Sequence, residues 1–150
     1  MRTTVNVLLG WLAFYHLTAG AWQALAPRSF YDDFPGLGRH WVSIDGPFSE
    51  HLIRDYGQGN LAVGVVALVA LLTGGVWLAR ATGLAAVVAH LPHQAYHQTH
   101  LDLLPTAGDA VLQTLTLSLV SVTAVLLAVL AFALPVRPEP AAVPHERSRA

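Results

Sequence analysis

Residues 76–100, VWLARATGLAAVVAHLPHQAYHQTH, decide what this chain can be. An apolar run that is long enough to carry a helix into a membrane leads directly into four of the chain's eight histidines, which are His90, His93, His97 and His100. At 3.6 residues per helical turn, their spacing places all four imidazoles in one narrow stripe of a helix. Pro92 either kinks this helix or restarts it, so only the alignment of His90 with the other three depends on the proline.

The composition is typical of a membrane protein. Hydrophobic residues make up 54% of the chain and charged residues only 11%, whereas about a quarter of the residues in a soluble domain are charged. The net charge of -1 offers no basic surface, so no nucleic-acid partner is predicted. The chain has no cysteine, and any metal must therefore be bound through nitrogen and oxygen.

Four apolar segments are predicted to span the bilayer, because about 20 apolar residues cross its hydrocarbon core. The predicted fold is an all-α, integral membrane up-down-up-down four-helix bundle with a long aromatic first loop, and its spans cover about residues 5–26, 49–73, 76–100 and 109–134. The first segment has an alternative interpretation as a signal peptide, since Arg2 precedes it and Ala24-Leu25-Ala26 resembles a cleavage site. A disordered tail is predicted for residues 136–150.

Local signals predict how the helices begin and how they are connected. Ser49 is the expected N-cap of the second helix, and Glu50 and Arg54 are expected to form an ion pair one turn apart. Gly74-Gly75 predicts a tight turn between antiparallel neighbours. On the last helix, interhelical hydrogen bonds are expected from the serine and threonine residues, including Thr114, Ser118 and Ser121.

Residues 27–46 are predicted to form a loop, because glycine and proline punctuate them. Aromatic residues are dense in and just after this segment, at Phe30, Tyr31, Phe34, Trp41 and Phe48. One interpretation is an anchor at the membrane interface, and the other is a lid over a ligand cavity.

The arginines predict a location in the cell membrane with both termini cytoplasmic. With that orientation the inner side holds Arg2, Arg80, Arg137, Arg147 and Arg149, and the outer side holds Arg28, Arg39 and Arg54. An excess of basic residues on the cytoplasmic side is the usual determinant of topology.

Alternating helices gather the polar residues at one end of the predicted bundle. The candidate metal ligands are His51, Asp55, His90, His93, His97 and His100, and the candidate cofactor-binding residues are His16, Gln58, Asp109 and Gln113. Imidazoles at i and i+4, such as His93 and His97, chelate a single metal ion on other helices. A divalent transition metal and a haem both suit this set; the alternatives are a polar pocket for a quinone or small apolar ligand, and a network of packed hydrogen bonds.

Two resemblances bear on these candidates. The set His93-x3-His97-x2-His100 resembles a fragment of the histidine boxes of membrane di-iron desaturases and hydroxylases. Residues 54–62, RDYGQGNLA, together with four spans and a long first loop, resemble the small bacterial membrane proteins of the DoxX-like kind. That second resemblance implies a four-helix membrane bundle, sometimes as a subunit in quinone-linked redox chemistry, but the histidine stripe has no counterpart in it.

The predicted function is therefore that of an integral membrane protein that binds a metal or small redox ligand, as part of a membrane oxidoreductase. The alternative is a non-catalytic accessory or lipid-interacting scaffold subunit. The expected partners are the lipid bilayer, a quinone or small apolar ligand, and a membrane-complex partner.

Overall fold

The computed structural model describes residues 1–136, which are mostly helical. Within them, the helices are α1 (Arg2–Leu25), α2 (Pro27–Asp33), α3 (Glu50–Thr73), α4 (Val76–Gln98) and α5 (Ala107–Phe132). A short antiparallel hairpin, β1 (Pro35–Gly36) with β2 (Arg39–His40), lies between α2 and α3, and a 3-10 turn (Leu101–Leu103) precedes α5. The prediction of a mostly helical chain is confirmed. Apart from Val136, the predicted tail lies outside the described residues.

The predicted helix-end signals are confirmed. The Leu52 amide donates a hydrogen bond to the Ser49 hydroxyl at 3.4 Å, and Arg54 Nε donates to Glu50 Oε1 at 2.8 Å. Gly74 ends α3 with a φ of 67°, in the left-handed region where a residue with a Cβ is disfavoured. α4 therefore begins at Val76, with only Gly74 and Gly75 between the two helices.

Two local predictions need correction. Residues 27–46 are not an irregular loop throughout, because they contain α2 and the β1–β2 hairpin. Pro27 begins α2, where its missing N–H costs no helical hydrogen bond. The fourth histidine of the stripe does not lie on the helix, since α4 ends at Gln98 and the Thr99 hydroxyl bonds back to the Tyr96 carbonyl at 2.8 Å.

Glycines let the long helices approach closely in two pairs, α1 with α3 and α4 with α5. A Cβ on Gly57 would lie 2.7 Å from the Ala24 backbone nitrogen, and one on Gly83 would lie 2.7 Å from the Ala128 Cα. No side chain fits at these distances, so backbone packs directly against backbone. The two pairs then meet around a buried apolar core that includes Leu9, Leu12 and Leu127.

The start of α1 and the end of α5 lie at the same end of the molecule. The Arg2 guanidinium donates to the Gly74 carbonyl in the α3–α4 turn. Arg80 donates to the carbonyls of Ala131 at 3.1 Å and Leu134 at 2.9 Å. Because the last carbonyls of a helix have no partner within the helix, this cation stabilises the end of α5.

Two of the helices, α3 and α5, are long and apolar enough to cross a membrane. Four-span insertion stays a prediction.

Candidate functional site

A cavity of about 380 Å³ lies at the end of the molecule opposite Arg2 and Arg80. Both helix pairs line it, together with α2 and the segment that follows it. Its apolar wall includes Ala19, Phe30, Phe34, Trp41, Val42, Leu52, Ile53, Leu117 and Val120, and its polar side chains are Tyr15, Gln23, Asp45, Tyr56, His93, His97, Gln113 and Thr116. An apolar cavity of this size with a few polar groups is the usual form of a small-molecule site.

A chain of hydrogen bonds runs through the buried interior to the cavity wall. His90 Nε2 lies 3.1 Å from His16 Nε2, and His16 Nδ1 lies 2.9 Å from Asn60 Oδ1. Asn60 Nδ2 then donates to Gln23 Oε1 at 2.8 Å. His16 and Asn60 are 0% and 8% exposed, so the chain is shielded from solvent. It joins α4, α1 and α3, and it ends on the cavity residue Gln23.

With Asn60 Oδ1 facing His16 and Asn60 Nδ2 facing Gln23, the chain has one direction. Because Asn60 Oδ1 can only accept, His16 Nδ1 must carry the proton and donate. A neutral His16 then has a bare Nε2, which accepts from His90 Nε2–H. Every hydrogen bond in the chain therefore points from His90 towards Gln23.

The histidine stretch does not converge on one point. His90 faces His16 on α1, whereas His93 and His97 contact each other with ring centroids 4.5 Å apart and line the cavity. His100 stacks on the Tyr96 ring at a centroid distance of 4.1 Å. Because only His93 and His97 of the four line the cavity, they are the two that can contact a ligand there.

The other predicted residues separate into cavity, lid and surface positions. Gln113 is 5% exposed and lines the cavity. His51 and Asp55 pair at 3.4 Å with side chains that are 89% and 53% exposed, so they lie on the surface. Gln58 is also exposed and does not line the cavity.

Asp109 holds the segment after α2 over the cavity. Its carboxylate accepts hydrogen bonds from the Arg39 guanidinium and, at 3.0 Å, from Trp41 Nε1. We call residues 27–48 the lid, because Phe30, Phe34 and Trp41 in this range form part of the cavity wall. The lid interpretation of the aromatic residues is thus supported by their position.

One further contact fixes the lid to a helix, since the Tyr96 hydroxyl on α4 donates to Asp45 Oδ1 at 3.0 Å. Within the lid, the Tyr31 hydroxyl donates to the Gly46 carbonyl at 2.6 Å. At the outer face of α2, Arg28 donates to Asp32 at 2.6 Å, and this hydrogen bond raises the pKa of the Arg28 guanidinium. The lid is fixed to α4 and α5 by side chains rather than by backbone pairing.

Sequence reasoning missed several residues of the site. Asn60 lies in the RDYGQGNLA stretch, and an amide inside an apolar helix is a recognised signal of an interior polar contact. Tyr15, Asp45 and Tyr56 also line the cavity. Their positions carry no pattern that distinguishes them from interfacial aromatics or loop acids.

Within residues 1–136 no three His, Asp or Glu side chains lie close enough together to hold one metal ion. The metal and haem sites stay predictions.

Comparison with known protein families, with curated proteins and with solved structures gives no match to this chain.

Proposed function

We propose that this chain is an integral membrane protein that binds a small, mainly apolar redox ligand of the quinone type in the cavity under the lid. The observation that carries the proposal is the cavity itself, in which aromatic side chains surround a few polar groups. Such a surface suits a ring system that buries its faces against apolar side chains and directs one polar end to hydrogen-bonding groups.

The distribution of apolar surface supports insertion in a bilayer. On α5 an unbroken stripe of large apolar side chains points outward, with 46–61% exposure at Val111, Leu115, Leu119, Val122, Leu126 and Val129. Polar side chains such as His16 and Asn60 are buried instead. Monomeric soluble proteins rarely expose a continuous apolar surface of this length, whereas lipid covers it at no cost.

The position of the arginines supports the cytoplasmic placement of both termini. Arg2 contacts the α3–α4 turn and Arg80 contacts the end of α5, so both cations lie at the same end of the helices. The cavity then opens on the opposite side of the membrane.

Unused hydrogen-bonding groups at the cavity support a ligand with a polar end. Within residues 1–136, the Gln113 amide and the His93 and His97 imidazoles make no hydrogen bond, and all three line the cavity. Polar groups at buried positions usually have partners. A quinone or its reduced form supplies acceptors or donors for them, and an imidazole is suited to exchange a proton with such a ligand.

The proposal is tested by titrating 2-methyl-1,4-naphthoquinone into the full chain in lipid nanodiscs and following tryptophan fluorescence. Trp41 lies in the cavity wall, so saturable quenching beyond that of empty nanodiscs and of a Trp41→Phe variant is expected. His97→Ala and Gln113→Leu should each weaken binding about threefold to tenfold, the range expected for one lost hydrogen bond.

Matched controls come from the surface positions. His51→Ala and Gln58→Leu remove the same side-chain types at exposed sites, and they should leave binding unchanged. Quenching that does not saturate, or equal loss in the control variants, would refute the proposal and favour the accessory or scaffold role. Metal analysis of the same preparations tests the predicted metal site, because stoichiometric metal that is lost in His97→Ala would identify a metal ligand instead.

A further inference from the structure

Gln23 presents a defined end of its amide to the cavity. Its side chain is 4% exposed and lines the cavity, and its Oε1 is occupied by the hydrogen bond from Asn60 Nδ2 at 2.8 Å. Within residues 1–136 its Nε2 makes no hydrogen bond. The group that Gln23 offers to a ligand is therefore an N–H donor.

The buried chain behind Gln23 holds this orientation. If the Gln23 amide turned over, its NH2 group would face the NH2 group of Asn60, and two donors would meet. Asn60 cannot turn over alone, because its Oδ1 accepts from His16 Nδ1–H. Reversing the chain requires that both amides and both imidazole tautomers change together, so no single side chain can reverse its own polarity.

Amide groups do not pass protons along such a chain, so its effect on the cavity is positional. The cavity wall also contains an aromatic cluster: the rings of Phe30 and Phe34 lie 4.8 Å apart, and those of Phe34 and Trp41 lie 6.3 Å apart. These rings favour a flat, conjugated ligand.

The geometry points to an aromatic carbonyl compound as the ligand class, with a ketone or quinone oxygen accepting a hydrogen bond from Gln23 Nε2. This inference rests on the proposed function and adds that the protein donates the hydrogen bond and the ligand accepts it. His90, His16 and Asn60 are positioning residues, since none of them lines the cavity and their hydrogen bonds lead to Gln23.

The first experiment compares two probes of the same shape in wild-type protein in nanodiscs. Binding of 2-methyl-1,4-naphthoquinone and 2-methylnaphthalene is measured by calorimetry, with the heat for empty nanodiscs subtracted. The quinone should bind about threefold to tenfold more tightly, which corresponds to one hydrogen bond. If the two bind equally, this inference is refuted while the proposed function stands; if neither binds, both are refuted.

The second experiment changes the donor. Gln23→Leu should reduce quinone affinity about threefold to tenfold and leave affinity for the hydrocarbon unchanged. The carbonyl stretch of the bound quinone should also move to higher wavenumber in this variant, because the hydrogen bond is lost. An unchanged ratio of quinone to hydrocarbon affinity would refute the inference, whether both affinities stay the same or both fall equally.

The third experiment changes which end of the Gln23 amide faces the cavity, by a substitution at Asn60. Asn60→Asp keeps the shape but offers only acceptors, so Gln23 Nε2 should turn to the new carboxylate and leave Oε1 facing the cavity. Quinone affinity should then fall at least as far as in Gln23→Leu, whereas 1-naphthol, which has a hydroxyl donor, should bind as well as before. Undiminished quinone binding would refute the positioning role. The comparison of probes in wild-type protein needs no variant and decides the matter if either variant does not fold.

Discussion

Gly57 is the position where a single added methyl group tests the packing most directly. An alanine Cβ there would lie 2.7 Å from both the Ala24 nitrogen and the Gln23 Cβ, whereas ordinary contacts begin at 3.4 Å. α1 and α3 would have to separate locally by roughly 0.7 Å, the difference between those two distances. Overpacking of this kind lowers the free energy of unfolding by about 2 kcal/mol, and the better helix propensity of alanine offsets about 1 kcal/mol of this.

Gly57→Ala should therefore lower the free energy of unfolding by about 1 kcal/mol. Gly59 provides the matched control on the same helix, because a Cβ there would meet nothing within 4 Å. Gly59→Ala should raise the free energy of unfolding by about 1 kcal/mol, which leaves a difference of about 2 kcal/mol between the two variants.

The assay is a reversible titration of the protein in mixed micelles with sodium dodecyl sulfate, followed by circular dichroism. If both variants stabilise the protein equally, the close contact between α1 and α3 does not exist in the folded protein. Gly57→Ala should also weaken naphthoquinone binding, since the displaced neighbour is Gln23.

Three further variants test the lid and the helix ends. Asp109→Asn removes the ion pair with Arg39 and should speed naphthoquinone release in stopped-flow measurements; an unchanged release rate would show that this ion pair does not hold the lid. Arg80→Gln removes the hydrogen bonds to the last carbonyls of α5 and should lower the free energy of unfolding by about 1–2 kcal/mol, with faster amide exchange confined to that helix end. Ser49→Ala should lower the free energy of unfolding by about 1 kcal/mol, because the N-cap is lost. The same titration as for Gly57→Ala measures this change, and a clearly smaller decrease would show that Ser49 does not cap α3.

Features set by a few neighbouring residues were predictable from the sequence. Ser49 and Gly74 mark helix ends because the local backbone needs a capping oxygen or a left-handed φ. Interhelical hydrogen bonds are confirmed at Ser118 and Thr114, since Gln94 donates to the Ser118 hydroxyl at 2.8 Å and Gln98 to the Thr114 hydroxyl at 3.3 Å. The Ser121 hydroxyl is buried without a partner in the described part of the chain.

The partners of the histidines were not predictable in the same way. Helical spacing shows that His90, His93 and His97 share one side of α4, but it does not say which helix lies opposite each of them. His90 contacts His16 on α1, whereas His93 and His97 line the cavity. The residue that joins His16 to the cavity, Asn60, comes from a third helix, and only the tertiary packing of α1 against α3 brings it there.

The arrangement of tight and loose interfaces explains why the cavity lies where it does. Within each pair, α1 with α3 and α4 with α5, glycine brings backbone against backbone, and no side chain can rearrange to make room there. Between the pairs, contacts run through longer side chains, and the cavity is lined from both sides, by Tyr15 and Tyr56 from one pair and by His97 and Gln113 from the other. The cavity therefore lies between the two pairs rather than within either of them. The lid reaches across to α5 at this interface, because Arg39 and Trp41 both donate to Asp109.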